Sequence, residues 1–257
     1  MGLYRALELT LPGMLLAILL MVELGRRAGI RHRQRTGEPA AGVGAIEGAV
    51  FGLLGLILAF TFSGAAARYD SRRDMVTEEA NDIGTAWFRV DLVPEAQQPA
   101  LRQAFRDYLD HRIAAYQAMP DTTAMLREIK KSEALQAEIW RQAVAATSDP
   151  ALAASKMLLL PALNAMIDIT TTRTMAARSH MPEFIYLLLV VLALVGGLVG
   201  GYAMSVSPKR SLVHSIGFAL VLSLTIYVIL DLEFPRKGLI RLDAYDQVLI
   251  DLRASMD

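Results

Sequence analysis

Two stretches near the C-terminus decide the fold: Glu183–Val206, EFIYLLLVVLALVGGLVGGYAMSV, and Ser211–Leu232, SLVHSIGFALVLSLTIYVILDL. Each is apolar around its whole circumference. A helix without a polar face belongs in a large core or in a bilayer, and about 20 mostly apolar residues let a helix cross the hydrocarbon layer. Only Ser207-Pro208-Lys209-Arg210 separates the two, which makes a tight antiparallel hairpin. Toward the N-terminus, Ala45–Ala66 (AIEGAVFGLLGLILAFTFSGAA) is a third stretch of sufficient length. Leu9–Leu24 (LTLPGMLLAILLMVEL) is a shorter fourth. That one could be a signal peptide, but Gly25-Arg26-Arg27 follows it without a small-residue cleavage site, so it reads as a retained helix.

Composition agrees. Apolar residues make up 54% of the 257 and mean hydropathy is +0.36. The excess sits at both ends of the chain, and the middle resembles a soluble protein. Formal net charge is zero, so no general attraction to nucleic acid follows. There is no Cys, which excludes disulfides, thiolate metal ligands and Cys nucleophiles. The expected fold class is an all-α membrane protein: four transmembrane helices with a soluble helical bundle inserted between the second and third. Residues 1–66 hold the first two helices and an Arg-rich loop, 67–182 the soluble domain, 183–235 the hairpin and 236–257 a C-terminal tail.

The middle domain carries helical signals throughout. Tyr69, Val76, Ile83 and Val90 are spaced by seven, and Ala80 and Trp87 lie four after Val76 and Ile83, the seam of a helix packed lengthwise on a partner. No Gly or Pro interrupts the run after Gly64 until Gly84, so the second membrane helix should continue out of the bilayer. Further helices are expected over about 99–119, 122–147 and 151–179, with Asp121 and Asp149 as N-caps and Pro161 as a kink.

Catalytic chemistry is sparse. His32, His111, His180 and His214 do not pair at metal-ligand spacing, and no HExxH, P-loop, GxSxG or GxGxxG occurs. No enzyme activity, metal or cofactor is expected. Glu78, Glu79 and Asp82 read as a solvated acidic face, and Arg102, Arg106 and Asp110 as surface pairs.

The membrane segments say more. Gly44, Gly48 and Gly52, followed by Gly55, share one face of the second segment, and Gly196, Gly197, Gly200 and Gly201 repeat the device in the third. Such faces let helix backbones approach closely, within one subunit or between subunits. Beside the first lies a stripe of Glu47, Phe51, Leu54, Leu58 and Phe62: a carboxylate mouth followed by an apolar constriction, one way to build a gated ion path. His214 lies about one turn into the fourth segment, at the depth of Glu47, with Lys209 and Arg210 nearby, and would tune that mouth. A ring of Glu47 carboxylates would favour cations. At the other end, Asp231 and Glu233 close the fourth segment where Arg68 and Arg72 leave the second, and structural charge pairing is expected there. Arg26, Arg27, Arg31, Arg33 and Arg35 in one short loop, with Lys209 and Arg210 in the other, place those loops in the cytoplasm of an inner-membrane, multi-pass protein. Both termini and the soluble domain would then be periplasmic.

Three motifs carry a family resemblance. Gly48–Glu95 (GAVFGLLGLILAFTFSGAAARYDSRRDMVTEEANDIGTAWFRVDLVPE), Leu160–Arg173 (LPALNAMIDITTTR) with His180-Met181-Pro182, and Asp231–Gly238 (DLEFPRKG) resemble the bacterial bestrophin-like family, also called DUF4239. The resemblance implies kinship with bestrophins, pentameric anion channels with four membrane helices per subunit. No bestrophin pore or calcium-clasp residue is matched, so neither anion selectivity nor calcium gating carries over. Bestrophins also hold their soluble bulk in the cytoplasm, opposite to what the Arg-rich loops imply. Two functions follow: a homo-oligomeric, pentamer-like ion channel or transport pore in lipid with an inorganic ion as permeant, or a membrane-anchored sensor or scaffold that binds a partner through its soluble domain.

Overall fold

A computed structural model describes residues 2–37, 43–119, 121–207, 210–235, 238–240, 242 and 245–257. Among the described residues the chain forms helices and no strand. They are α1 (Gly2–Thr36), α2 (Val43–Arg89), α3 (Gln98–Gln117), α4 (Thr122–Ala146), α5 (Ala153–Arg178), α6 (Glu183–Ala203), α7 (Leu212–Glu233) and α8 (Gln247–Ala254). Four stretches, within Leu9–Thr36, Gly44–Leu92, Pro150–Val206 and Leu212–Glu233, are long and apolar enough to cross a membrane by length and composition. Residues 179–182 are not helical, so the apolar part of the third stretch is α6. The chain divides into two compact units, Met1–Tyr69 with His180–Leu239, and Asp70–Ser179 with Ile240–Asp257.

In the first unit α1 packs against α6 and α7. Glycine allows main chain to meet main chain. A Cβ on Gly25 would overlap the Leu198 carbonyl and lie 2.9 Å from Tyr202 N; one on Gly201 would overlap the Val22 carbonyl and lie 2.8 Å from Val22 Cα. Gly197 faces Ile18 O at 3.2 Å in the same way. The sequence points to Gly197 and Gly201, but Gly25 and Gly29, which meet Leu198, Tyr202 and Ser205, fall in the loop expected between the first two segments. That expectation is corrected: residues 25–36 continue α1 as helix. The Arg, Ala and Gln there suit a helix, and the cost of the two glycines is offset where they touch α6. Arg26 and Arg33 donate to the carbonyls of Ser207 and Val206, satisfying the end of the α6 segment. Lys209 and Glu38 lie outside the described residues.

The second unit has a core of Val76, Ile83, Val90, Trp87, Phe105, Tyr108, Ile139, Leu163 and Met166, all buried. The heptad seam thus faces inward along α2, which runs without a break from Val43 to Arg89. Asp121 accepts from the amides of Thr123 (2.9 Å) and Ala124 (3.0 Å), and Asp149 from that of Ala151 (2.8 Å), so both act as N-caps. The C-terminal residues, expected as a separate tail, pack into this unit: Leu249 and Met256 are buried in its core. Arg253 pairs with Asp110 at 2.8 Å, and Arg106 donates to Met256 O at 2.9 Å. Arg106 and Asp110 therefore hold α8 rather than pairing with each other across the surface. The spacing Leu249, Leu252, Met256 was the available signal, one helical stripe in a short helix.

Candidate functional site

Within the first unit α2 has two unlike faces. On the packed face Leu54 and Thr61 are buried, and Phe51 meets Phe218 of α7 edge-on, centroids 5.8 Å apart. Leu54 and Phe51 also fill the space over Gly196 and Gly200 of α6, where a Cβ would lie 3.3 Å from Leu54 Cδ2 or Phe51 Cζ respectively. On the open face, Leu53, Leu56 and Phe60 are 47%, 51% and 66% exposed. Gly44, Gly48, Gly52 and Gly55 have nothing within 4 Å of a Cβ position, so among the described residues no helix backbone meets them. Between α2 and α7 runs an apolar groove of about 450 Å³ lined by Phe51, Leu54, Gly55, Leu58, Phe218 and Thr225, among others.

The expected pore stripe is therefore distributed unevenly. Phe51 and Leu54 pack inside the protomer, Leu58 borders the groove, and Phe62 is 44% exposed. Glu47 is half-buried, and its Oε1 is hidden from solvent with no hydrogen-bond partner among the described residues. His214 is exposed at the start of α7, with Nδ1 2.5 Å from Ser211 Oγ. Arg210 turns to Glu23 of α1 (2.9 Å), which also holds Arg27 (2.7 Å), an acid the sequence reading did not single out.

At the other end of the unit Glu233 is fully buried. Its Oε1 accepts from Arg68 Nε at 2.7 Å and also from Arg68 Nη2. Its Oε2 lies 3.4 Å from His180 Nδ1, and the His180 ring lies against that of Phe234, tilted by 32° with centroids 4.7 Å apart. Asp231, also buried, accepts the Leu239 amide on both oxygens, at 3.0 and 3.1 Å. A Cβ at Gly238 would overlap that carboxylate, so Gly238 is required for the turn to close over Asp231. Arg72, in the second unit, donates to the carbonyls of Ala176 and Ser179 at 3.1 and 2.6 Å. Of the four residues expected to pair, Arg68 and Glu233 meet directly. Arg236 and Lys237 of the same motif lie outside the described residues.

The second unit contains a cluster that the sequence misjudged. Glu79, which its acidic neighbours Glu78 and Asp82 suggest lies on a solvated face, is fully buried. Arg112 Nε donates to its Oε1 at 2.7 Å, while Arg173 Nη1 and Tyr116 OH (3.1 Å) donate to Oε2. Both guanidinium groups also lie over the Tyr116 ring, at 5.1 and 4.4 Å. Asp82, one turn on, is half-exposed, and burial together with the neighbouring Glu78 raises its pKa. One signal was present: at heptad spacing Glu79 falls between the buried Val76 and Ile83. Among the described residues no group of three or more His, Asp or Glu side chains could hold a metal ion.

A family model described as the bestrophin-like domain matches residues 14–244. The chain also resembles crystal structures of a bacterial bestrophin homologue from Klebsiella pneumoniae, in two variants. One, carrying a Tyr-to-Ala change, gives a TM-score of 0.68 at 12% identity over 94% of this chain and 98% of that one. The other, carrying a Trp-to-Ala change, gives 0.67 at 12% identity over 95% and 97%. At that identity the likeness shows a shared fold. No curated protein matches the chain.

Proposed function

The chain belongs to the bestrophin-like family, and from that premise we propose that it assembles into an oligomeric ion channel or transport pore in a bacterial membrane. The open face of α2 carries the reading. A membrane-length helix that packs on one side only, with its glycines and bulky apolar groups uncovered on the other, has a face available for other copies of the chain and for a pathway between them. A pentamer, as in the bestrophins that the resemblance implies, suits such a face. In this reading Leu53, Leu56 and Phe60 form the apolar constriction, and Phe51, Leu54 and Leu58 brace it from behind. Glu47 stands at the mouth: an ionisable side chain in a membrane segment is costly unless it faces protein or water, and a ring of such carboxylates favours cations. His214 lies at the same mouth.

Liposome flux tests this directly. The purified chain should conduct, and Glu47→Gln should change flux or selectivity by about tenfold, the loss of one strong charge contact, without changing assembly. Absence of flux from the parent chain would return the scaffold reading, and unchanged flux in Glu47→Gln across pH would remove Glu47 from the pathway.

Orientation follows from the basic residues at the short-loop ends, Arg26, Arg27, Arg31, Arg33, Arg35 and Arg210. Both termini and the second unit are on the periplasmic side in this proposal. A reporter active only in the periplasm, fused after Asp257, should be active; activity of a cytoplasmic reporter at that site instead would invert the assignment.

A further inference from the structure

The outward face of α1 changes character at one point. Leu16, Leu20 and Leu24 are 68%, 59% and 44% exposed. Arg27, Arg31 and Arg35 continue the same stripe and are exposed as well. At 3.6 residues per turn all six fall within an arc of about 100°. Gly25 and Gly29, which touch α6, lie on the opposite side of the helix. The stripe therefore faces away from its own protomer. Only about 4.5 Å of helix rise separates Leu24 from Arg27, so the change from apolar to cationic is as abrupt as the passage from hydrocarbon to headgroup.

Four arginines of this region, Arg27 of the stripe among them, are engaged by protein. Arg26 and Arg33 donate to the carbonyls of Ser207 and Val206, while Glu23 takes Arg27 at 2.7 Å and Arg210 at 2.9 Å. Arg31 and Arg35 have no protein partner among the described residues. Side chains on a helix lean toward its N-terminus, which for both residues is the direction of the exposed leucines. Guanidinium is the side chain best matched to a phosphate diester, through paired N–H donors.

We propose that Arg31 and Arg35 form a binding stripe for acidic phospholipid headgroups on the outward face of α1. It acts as a lipid-selective anchor at the short-loop side of the membrane. Each engaged arginine enriches acidic lipid by about fivefold, the equivalent of ~1 kcal/mol per basic residue at a membrane surface.

The chain has no Cys, so a fluorophore on Leu24→Cys reports from a single place on this stripe. In phosphatidylcholine vesicles doped with spin-labelled phosphatidylglycerol, quenching should exceed that from spin-labelled phosphatidylcholine at equal mole fraction, by an enrichment of about fivefold or more. The excess should vanish in Arg31→Gln/Arg35→Gln and persist in Arg31→Lys/Arg35→Lys, which keeps the charge and checks that the variants fold. Equal quenching by the two lipids in the parent would overturn the proposal. So would an excess that survives the Gln pair, or one that inorganic phosphate removes but chloride of equal ionic strength does not. The readout is independent of ion conduction.

Discussion

Glu79→Ala should lower the stability of the second unit by about 3–5 kcal/mol, the cost of removing one partner from a buried charge cluster. The substitution leaves Arg112 and Arg173, both nearly buried, facing each other without the carboxylate between them. It also takes away the acceptor of the Tyr116 hydroxyl. Glu79→Gln keeps the shape but not the charge, and should recover only part of the loss. Asp82→Asn is the control. Burial and Glu78 already raise the Asp82 pKa, so the fold disfavours its charged form and neutralising it at pH 7 should cost little or slightly stabilise. The measurement is direct, because the two tryptophans of the chain, Trp87 and Trp140, both lie in this unit. Denaturant unfolding followed by their fluorescence should show the lowest midpoint for Glu79→Ala, an intermediate one for Glu79→Gln, and one at or slightly above the parent's for Asp82→Asn. A midpoint equal to that of the parent would mean that Glu79 is not buried between the arginines.

Gly201→Leu should prevent recovery of a folded first unit, while Gly52→Leu should leave the protomer intact. At Gly201 the obstruction is main chain: an added Cβ overlaps the Val22 carbonyl, and Val22 Cα is 2.8 Å away. A flexible side chain could turn aside, but a helix backbone cannot, so α1 and α6 would have to separate along their contact. Overpacking in a well-filled core costs about 1–3 kcal/mol, and backbone overlap should exceed that. At Gly52 no described residue lies within 4 Å of an added Cβ, so the branched side chain starts in open space beside its own protomer. In the proposed oligomer it meets the neighbouring copy and should shift the assembly to smaller species. Size-exclusion chromatography with light scattering in detergent separates the two outcomes. If Gly201→Leu elutes like the parent, the close crossing of α1 and α6 is not present in solution. If Gly52→Leu keeps the parent mass, the glycines of α2 do not form a subunit contact.

Helicity and the four bilayer-suited segments are legible in the amino-acid order, because apolar run length, N-cap residues and heptad spacing are local properties. Asp121, Asp149 and the seam of Val76, Ile83 and Val90 appear in the structure where those patterns place them. The family resemblance was equally legible, carried by contiguous motifs. Only the tertiary structure decided which faces meet. A stripe such as Glu47, Phe51, Leu54, Leu58 and Phe62 has the same periodicity whether it faces a pathway or its own subunit, and the contacts of Phe51 with Phe218 and of Leu54 with Gly196 depend on segments more than a hundred residues away. Glu79 looked solvated beside Glu78 and Asp82 because its two arginines come from other helices, α3 and α5. Gly25 and Gly29 looked like loop glycines because the residues that need their missing side chains, Leu198, Tyr202 and Ser205, lie at the far end of the chain. Local pattern fixes where a helix begins and what solvent it tolerates; the partner of each buried charge and each bare backbone is set by packing between distant segments.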